Sequence, residues 1–407
     1  MILRIARYID IYIGIPLLYL CYWTKKAFWR GSVCNTPDGY KKILLIKFWG
    51  IGNAAMLLPS ALALKAKYEN AEFDFLTLPN SKEILKAAKI FDNIYTMEYK
   101  NIIKFISATI SNFRILRNKD YDLMIDFEQF ARLSSLFCLF TGRKKTIGFN
   151  TRGQHRHFVY TSSVLYDNSI HMTRSFYSLL EPMGIGKAPE IKLPSITCEK
   201  SDVSDVGDIL RQKGIQKEDI LIVMHPGTSE NFIERRWPAE HYADLADRLI
   251  EAFGVKIAFT GIKDEIPYIE KTRKSIKYMD RTIDLSGDLS FGRYLSLIKL
   301  SDLVISADTA SVHLAACFSV PVAGLYGPNT PLLYGPWGGK SIWFYKKLAC
   351  SPCITNYNAK LSRCRHSDGR GACVKKITVD EVFSAIRKNY FDTDAPFRIR
   401  KRHEQAA

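Results

Sequence analysis

The run Ser306-Ala-Asp-Thr-Ala-Ser-Val-His313 brings an acid, three hydroxyls and an imidazole together. The apolar stretch Leu303–Ser306 reads as a buried strand that delivers Asp308 and Thr309 to the mouth of a helix. Unpaired backbone N–H groups and the helix dipole meet at such a mouth, which makes it a site for an anion. His225-Pro-Gly-Thr-Ser229 repeats the arrangement at the end of an earlier strand, and Tyr326-Gly-Pro-Asn-Thr-Pro331 ends a later one in a Gly-Pro turn. An ordinary N-cap would account for Asp308 or Thr309 singly. Two such strand ends in one half of the chain fit a cradle for a nucleotide-sugar diphosphate better.

A second group is Cys350-Ser-Pro-Cys353 with Cys364 and Cys373, a C-x2-C-x10-C-x8-C pattern. Four thiols opened by a CxxC suit a structural zinc or iron–sulfur centre. Free thiols and disulfides are the other readings. The remaining five of the nine cysteines, Cys21, Cys34, Cys138, Cys198 and Cys317, are scattered in mostly apolar surroundings, as in a reducing compartment. Lys346, Lys347, Lys360, Arg363, Arg365 and Arg370 make the cysteine-bearing loop basic, which suits an anionic acceptor.

The elements that position these residues follow an α/β rhythm from Lys41 onward. Ile43–Lys47 is a continuous apolar strand, Gly50-Ile-Gly52 a tight turn, and Ala54–Tyr68 a helix. Strands at Glu72–Thr77, Asn93–Met97, Leu123–Phe127 and Thr146–Phe149 alternate with helical stretches, which predicts a parallel sheet covered on both faces. A second series runs from Ile220 through Lys256–Thr260, Ile283–Leu285, Leu303–Ser306 and Val322–Tyr326. The predicted organisation is a membrane-interacting segment over 1–40, a Rossmann-like acceptor domain over 41–185 and a linker over 186–205. A Rossmann-like nucleotide-sugar domain over 206–376 holds the Cys-rich loop 350–373; a helix over 377–391 and a basic tail over 392–407 complete the chain. Two doubly wound halves leave a cleft at the carboxyl ends of their strands, where ligands bind.

At 407 residues the chain is too long for one core. Its 47% hydrophobic and 24% charged residues are ordinary globular material, which excludes a mainly disordered chain. The net charge of +17 is not ordinary and suits an anionic partner. Part of the excess lies at the ends, in Arg4, Arg7, Lys25, Lys26, Arg30, Lys41 and Lys42 against Asp10 and Asp38, and in Arg398, Arg400, Lys401 and Arg402. No RNA- or DNA-binding signature accompanies the charge. Ile11–Thr24 is free of charge but spans only about 21 Å as a helix, short of a bilayer core of roughly 30 Å. With Pro16 inside it and Tyr12, Tyr19, Tyr22 and Trp23 along it, an interfacial helix on the cytoplasmic face is the preferred reading. A single span and a helix docked on the body are the alternatives. No cleavable signal peptide is evident.

Lys47-Phe-Trp-Gly-Ile-Gly-Asn-Ala-Ala-Met-Leu-Leu-Pro-Ser-Ala-Leu-Ala-Leu-Lys65 resembles the N-terminal signature of the ADP-heptose:lipopolysaccharide heptosyltransferases, glycosyltransferase family 9. His225–Ser229, Arg235-Arg-Trp-Pro-Ala-Glu-His-Tyr242, Asp308–His313 and Gly327–Pro331 resemble that family's later blocks, in the same order, between about Lys41 and Tyr390. The resemblance implies a GT-B fold and inverting transfer of a heptose-like sugar, with no cofactor for the transfer itself. The donor would be a nucleotide diphosphate such as ADP-heptose and the acceptor an anionic lipid-linked glycan, at the cytoplasmic face of the inner membrane. It places Thr228 and Ser229 on the donor diphosphate, Arg235 where the family has a phosphate-contacting Lys, and Glu265 on a ribose hydroxyl. Asp308, Thr309, Ala310 and His313 would face the donor sugar and phosphates, with Ala310 replacing a usual Gly.

Asn53 departs from the pattern, since the family carries there an Asp that deprotonates the acceptor hydroxyl. An amide holds a hydroxyl but takes no proton. Three readings are open: Asp126 or Glu128 serves as base, the acceptor is acidic or supplies a phosphate, or activity is lost. The last would make the chain a non-catalytic sugar-nucleotide or glycan-binding relative.

Overall fold

The computed structural model describes residues 2–28, 39–99, 101–141, 144–186, 191, 196–360, 363–392, 394–396 and 399. Arg30, Cys34, Arg398, Arg400, Lys401 and Arg402 lie outside the described residues, as does most of the 392–407 tail. The chain divides into two units, 1–194 with 354–362, and 195–353 with 363–407. The second begins helix α8 at Lys200, inside the stretch read as a linker.

In the first unit, helices α1 (Ile2–Tyr12) and α2 (Gly14–Phe28) precede a doubly wound array. The array comprises β1 (Lys42–Ile46), α3 (Ile51–Lys67), β2 (Glu72–Thr77), α4 (Pro79–Ala87), β3 (Asn93–Thr96) and α5 (Ile102–Lys119). It continues with β4 (Leu123–Asp126), α6 (Arg132–Thr141), β5 (Lys145–Asn150), β6 (Ser162–Leu165) and α7 (Met172–Ser178). All strands are parallel, in the order β3-β2-β1-β4-β5-β6. Pro16 falls in the first turn of α2, and the helical bonds from Ile13 N to the Ile9 carbonyl (2.9 Å) and from Leu17 N to the Ile13 carbonyl (3.0 Å) carry the ladder across the junction of α1 and α2. Among the described residues no helix is long and apolar enough to cross a membrane. Residues 354–362 belong here because Gln154 donates to the carbonyls of Asn356 and Tyr357, and Asn356 donates to the Tyr166 hydroxyl.

The second unit contains α8 (Lys200–Gln212), β7 (Leu221–His225), α9 (Ala239–Phe253), β8 (Lys256–Phe259), α10 (Ile266–Lys274) and β9 (Thr282–Asp284). After these come α11 (Phe291–Leu300), β10 (Leu303–Ala307), α12 (Ala310–Cys317), β11 (Val322–Tyr326), α13 (Pro331–Tyr334) and β12 (Ser341–Tyr345). Two C-terminal helices, α14 (Ala372–Lys375) and α15 (Val379–Ile386), end the fold, the latter running on into a π-helical turn, Arg387–Phe391. The sheet order β9-β8-β7-β10-β11-β12 repeats the winding of the first unit strand for strand. Each unit therefore has a point where successive crossovers turn to opposite directions, between β1 and β4 and between β7 and β10. Of the strands at these points β4 and β10 are wholly buried, and β1 and β7 are buried except at Lys42 and His225, as their apolar runs require.

The first unit's reversal point is held by buried charge. Glu128 pairs with Lys47 at 2.9 Å, while its Oε1 accepts the backbone N–H groups of Phe48 (2.6 Å) and Trp49 (3.0 Å). Asp126 pairs with Arg156 and accepts from the Tyr160 hydroxyl at 2.6 Å. Arg156 also donates to Ser134 and Ser135, and all of these side chains are essentially inaccessible. Removing one partner of such a pair leaves an uncompensated charge in a low dielectric. Arg156→Met should therefore destabilise the first unit by about 3–5 kcal/mol. Urea unfolding monitored by circular dichroism measures this, and an effect below about 1 kcal/mol would mean that the network contributes little.

Candidate active site

In the second unit the polar strand ends converge. Thr309 caps α12, its Oγ accepting from Ser311 N at 3.4 Å and lying 3.0 Å from Ser306 Oγ. Ala310 opens the helix without a positive φ, so the Cβ absent from a Gly is tolerated. Asp308 is buried at the end of β10, accepting from Asn329 Nδ2 at 3.0 Å. Arg235 reaches across from the segment after β7, donating to the Asp308 carbonyl at 2.7 Å and lying 3.5 Å from its carboxylate. Its other Nη sits 3.5 Å from Ser229 Oγ, and its guanidinium lies over the Phe232 ring. Thr228 is buried beside them, and His313 is buried on α12.

Glu265 occupies the next position along the sheet edge, at the start of α10. It accepts from Ile262 N at 2.9 Å and comes within 3.9 Å of His225 Nε2. The approach depends on Gly227, where a Cβ would stand 2.4 Å from the Glu265 carboxyl carbon. His225 Nδ1 lies 3.1 Å from Thr260 Oγ1, and the Tyr294 ring faces the imidazole. Burial pushes the Tyr294 hydroxyl up to about 12, so it stays neutral and meets Ser311 Oγ at 2.6 Å. His225, Thr260, Tyr294 and Asn329 thus join the cluster without having been singled out from sequence. His225 and Asn329 lay in quoted motifs, while Thr260 and Tyr294 carry no local signal.

In the first unit, Asn53 sits in the first turn of α3 and donates to the Trp49 carbonyl at 3.1 Å. The amide thereby closes the turn at Gly50, whose φ of 93° demands glycine. A carboxylate there would face the carbonyl oxygen instead of bonding to it. Asp126 and Glu128 stand at the end of β4 near this turn, both 0% exposed. Burial raises Asp126, against the pull of Arg156. Burial also opposes the charge on Glu128, but Lys47 and the backbone donors hold its carboxyl below the usual range. Both carboxylates are therefore committed to neighbouring cations.

The cysteine loop belongs to the second unit up to Cys353 and again from Arg363. Cys373 is buried, Cys353 and Cys364 half-buried and Cys350 exposed, with no disulfide among them. Burial, and then the nearby Cys353, Cys364 and Cys350, push the Cys373 thiol up to about 11. Gly371 N donates to Cys364 Sγ at 3.4 Å. Among the described residues no group of three or more His, Cys, Asp or Glu side chains is arranged to hold a metal ion.

Two Rossmann-like units of identical winding are the architecture of the GT-B glycosyltransferases. The chain belongs to glycosyltransferase family 9 (heptosyltransferase), whose model matches residues 110–362. It is 23% identical to lipopolysaccharide heptosyltransferase 3 of Escherichia coli K12 over 353 residues, 85% of this chain and 96% of that protein. The fold is shared with the family 9 glycosyl transferase of Veillonella parvula, at TM-score 0.74 and 19% identity, over 87% of this chain and 98% of that one. It is shared also with E. coli ADP-heptose lipopolysaccharide heptosyltransferase II, at TM-score 0.65 and 20% identity, over 85% and 97%. The non-catalytic alternative raised by Asn53 is not favoured.

Burial lowers the His225 pKa below its usual value, and Glu265 offsets this only in part. As pH falls, the unfolded chain protonates this histidine before the folded one, so folding stability declines from about pH 6.5 downward. His225→Gln should flatten that part of the stability profile. Urea midpoints between about pH 7.5 and about pH 5.5 measure it, and an unchanged slope would assign the titration to another group.

Proposed function

We propose that this chain moves a heptose-like sugar, with inversion, from a nucleotide diphosphate of the ADP-heptose kind to an anionic lipid-linked glycan. The observation that carries the reading is the convergence of Arg235, Asp308 and the capped N-terminus of α12 at the reversal point of the second sheet. An acceptor oxygen attacks the anomeric carbon, the bond from that carbon to the phosphate oxygen breaks, and the nucleoside diphosphate departs with the electron pair. Charge develops on the departing oxygens, where Thr228, Ser229, Arg235 and the α12 N–H groups stabilise it. Glu265 receives a ribose hydroxyl, and Asp308 with Ala310 and His313 faces the sugar. The relatives named as lipopolysaccharide heptosyltransferases support both the donor class and the acceptor class.

The proton lost by the acceptor hydroxyl needs a destination. Asn53 holds the hydroxyl without accepting the proton, Glu128 is committed to Lys47 and to the backbone of Phe48 and Trp49, and Asp126 is committed to Arg156. The base in this reading is an acidic group of the acceptor itself, such as a phosphate close to the hydroxyl. The excess of basic residues suits such a substrate. On this reading the enzyme works as a peripheral protein at the cytoplasmic face of the membrane, a placement supported by the exposed Tyr8, Tyr12, Leu20 and Trp23 of α1 and α2.

Asp308→Ala should lower kcat/KM by roughly 10²-fold or more in a coupled assay of ADP release, while Arg235→Lys retains part of the activity. Full activity of the Asp308 variant would remove the donor assignment. A phosphate base further requires that kcat/KM rise with pH through about 6, as the dianion forms. Removing the acceptor phosphate should then cost roughly 10²- to 10⁴-fold in rate. Equal rates on both acceptors would exclude it.

A further inference from the structure

Helix α5 carries two apolar faces, only one of which the first unit uses. Its inner face packs Phe113 and Leu116 onto the core beneath α6, with the Phe113 ring stacked 3.9 Å from Phe137. Its outer face presents Ile103, Ile106 and Ile110 at helical spacing, Ile103 being 73% exposed. With Arg114 these isoleucines line an open hollow along the helix. A surface helix of a soluble domain normally shows polar residues on its outer side. A contiguous exposed apolar stripe marks an interaction surface.

The N-terminal helices, which pack on the same core cluster, carry a second such surface. Leu18 of α2 is buried in the core cluster that receives Phe113 and Leu116, with Cys21 and Tyr22 packed against it. Tyr8, Tyr12, Leu20 and Trp23 of α1 and α2 are left exposed. Lys25 of α2 donates to the Leu139 carbonyl at the end of α6, close enough to Arg117 of α5 that the two charges act on each other. Charge follows one rule across these helices. The one carboxylate on α1, α2 and α5 is Asp10, and it is spent on Arg132 at 3.0 Å. Lys25, Lys26, Lys104, Arg114 and Arg117 form the opposing set.

We propose that the outer isoleucine stripe of α5 is a second membrane contact, which together with α1 and α2 seats the first unit on an anionic phospholipid surface. Apolar side chains rimmed by cations with no exposed carboxylate complement a negatively charged headgroup layer. A second copy of the chain would bring the same cations against each other. The inference rests on the peripheral-membrane part of the proposed function and extends it from the N-terminal helices to the body of the unit. A unit held at two places is fixed in orientation as well as in height, so a lipid-borne acceptor meets it from one side.

The test uses the full chain with Ile103→Ser, Ile106→Ser and Ile110→Ser combined, which alters exposed positions only. Sedimentation with phosphatidylcholine vesicles containing roughly one-third phosphatidylglycerol should show partition of the variant reduced roughly tenfold or more. Partition of the parent should weaken with salt and on neutral vesicles. A variant that partitions like the parent would overturn the proposal. So would a variant that keeps its partition but dissociates from a dimer in analytical ultracentrifugation, which would identify a second copy as the occupant. Independently, Ile106→Trp should add a blue-shifted emission quenched by brominated lipid, and an unquenched, unshifted emission would also overturn it. ADP release with a detergent-dispersed acceptor should be the same in parent and triple variant. Absence of ADP release from the parent would sink the transferase reading alone, because vesicle partition is read without turnover.

Discussion

The reversal of strand order within each sheet is the constraint on which the rest of the structure depends. Crossovers from β1 to β2 and from β1's neighbour β4 to β5 run in opposite directions along the sheet, and so do those from β7 and β10. The loops leaving the two central strands therefore diverge, the arrangement that in such sheets sets a crevice at the carboxyl ends of the strands. Most of the candidate site residues lie at such a place, with Thr260 and Glu265 following the neighbouring β8. Lys47, Asn53, Asp126 and Glu128 follow β1 and β4, while His225, Thr228, Asp308 and Thr309 follow β7 and β10. The polar groups are tolerated there because the crevice is where the backbone leaves the ladder and its N–H groups lack sheet partners.

The two reversal points spend their charge differently. In the second unit the α12 N-terminus, Thr228 and Arg235 are disposed around an opening, and Asp308 is steadied by Asn329. In the first unit the acids turn inward, Glu128 to Lys47 and Asp126 to Arg156. Burying four charges is expensive, and the attraction between them recovers that cost only with good geometry and extra hydrogen bonds. The extra bonds here are made to the backbone of Phe48 and Trp49, so the expense goes into fixing the turn that carries Asn53. A rigid turn matters when a hydroxyl must be aligned, since misplacement of about 1 Å is costly in rate.

Much of this was legible in the chain. Continuous apolar runs flanked by glycine turns revealed most of the central strands, because a strand covered on both faces has no polar alternation to confuse it. The edge strands β6 and β12 were missed, as was α6. Ser162–Leu165 and Ser341–Tyr345 are only partly buried, so their patterns are weak, and Arg132–Thr141 hides a buried Arg and two buried Ser on its inner side. Arg156 was invisible for a related reason. A buried arginine cannot be told from a surface one until its partner is known, and Asp126 is thirty residues away in sequence. The inclusion of 354–362 in the first unit depends on Gln154 and Tyr166, contacts almost two hundred residues apart that no local pattern announces.

Asp10 joins the N-terminal helices to the buried charge network of the first unit. It accepts from the backbone N–H of Arg132 at 2.9 Å and pairs with its guanidinium, which in turn donates to Gln154 Oε1 at 2.7 Å. Arg132 begins the helix that follows β4, and two residues of that helix, Ser134 and Ser135, hold Arg156 against Asp126. The chain of bonds thus runs from the half-buried Asp10 of α1 through α6 to the turn of Asn53. In the proposed membrane seating, a lipid surface that orients α1 would orient this network with it, because close-packed interiors transmit displacement instead of absorbing it. Basic residues that never touch substrate can in this way affect how a lipid-borne acceptor is aligned, which is a sounder use for the excess positive charge than long-range attraction through screening salt.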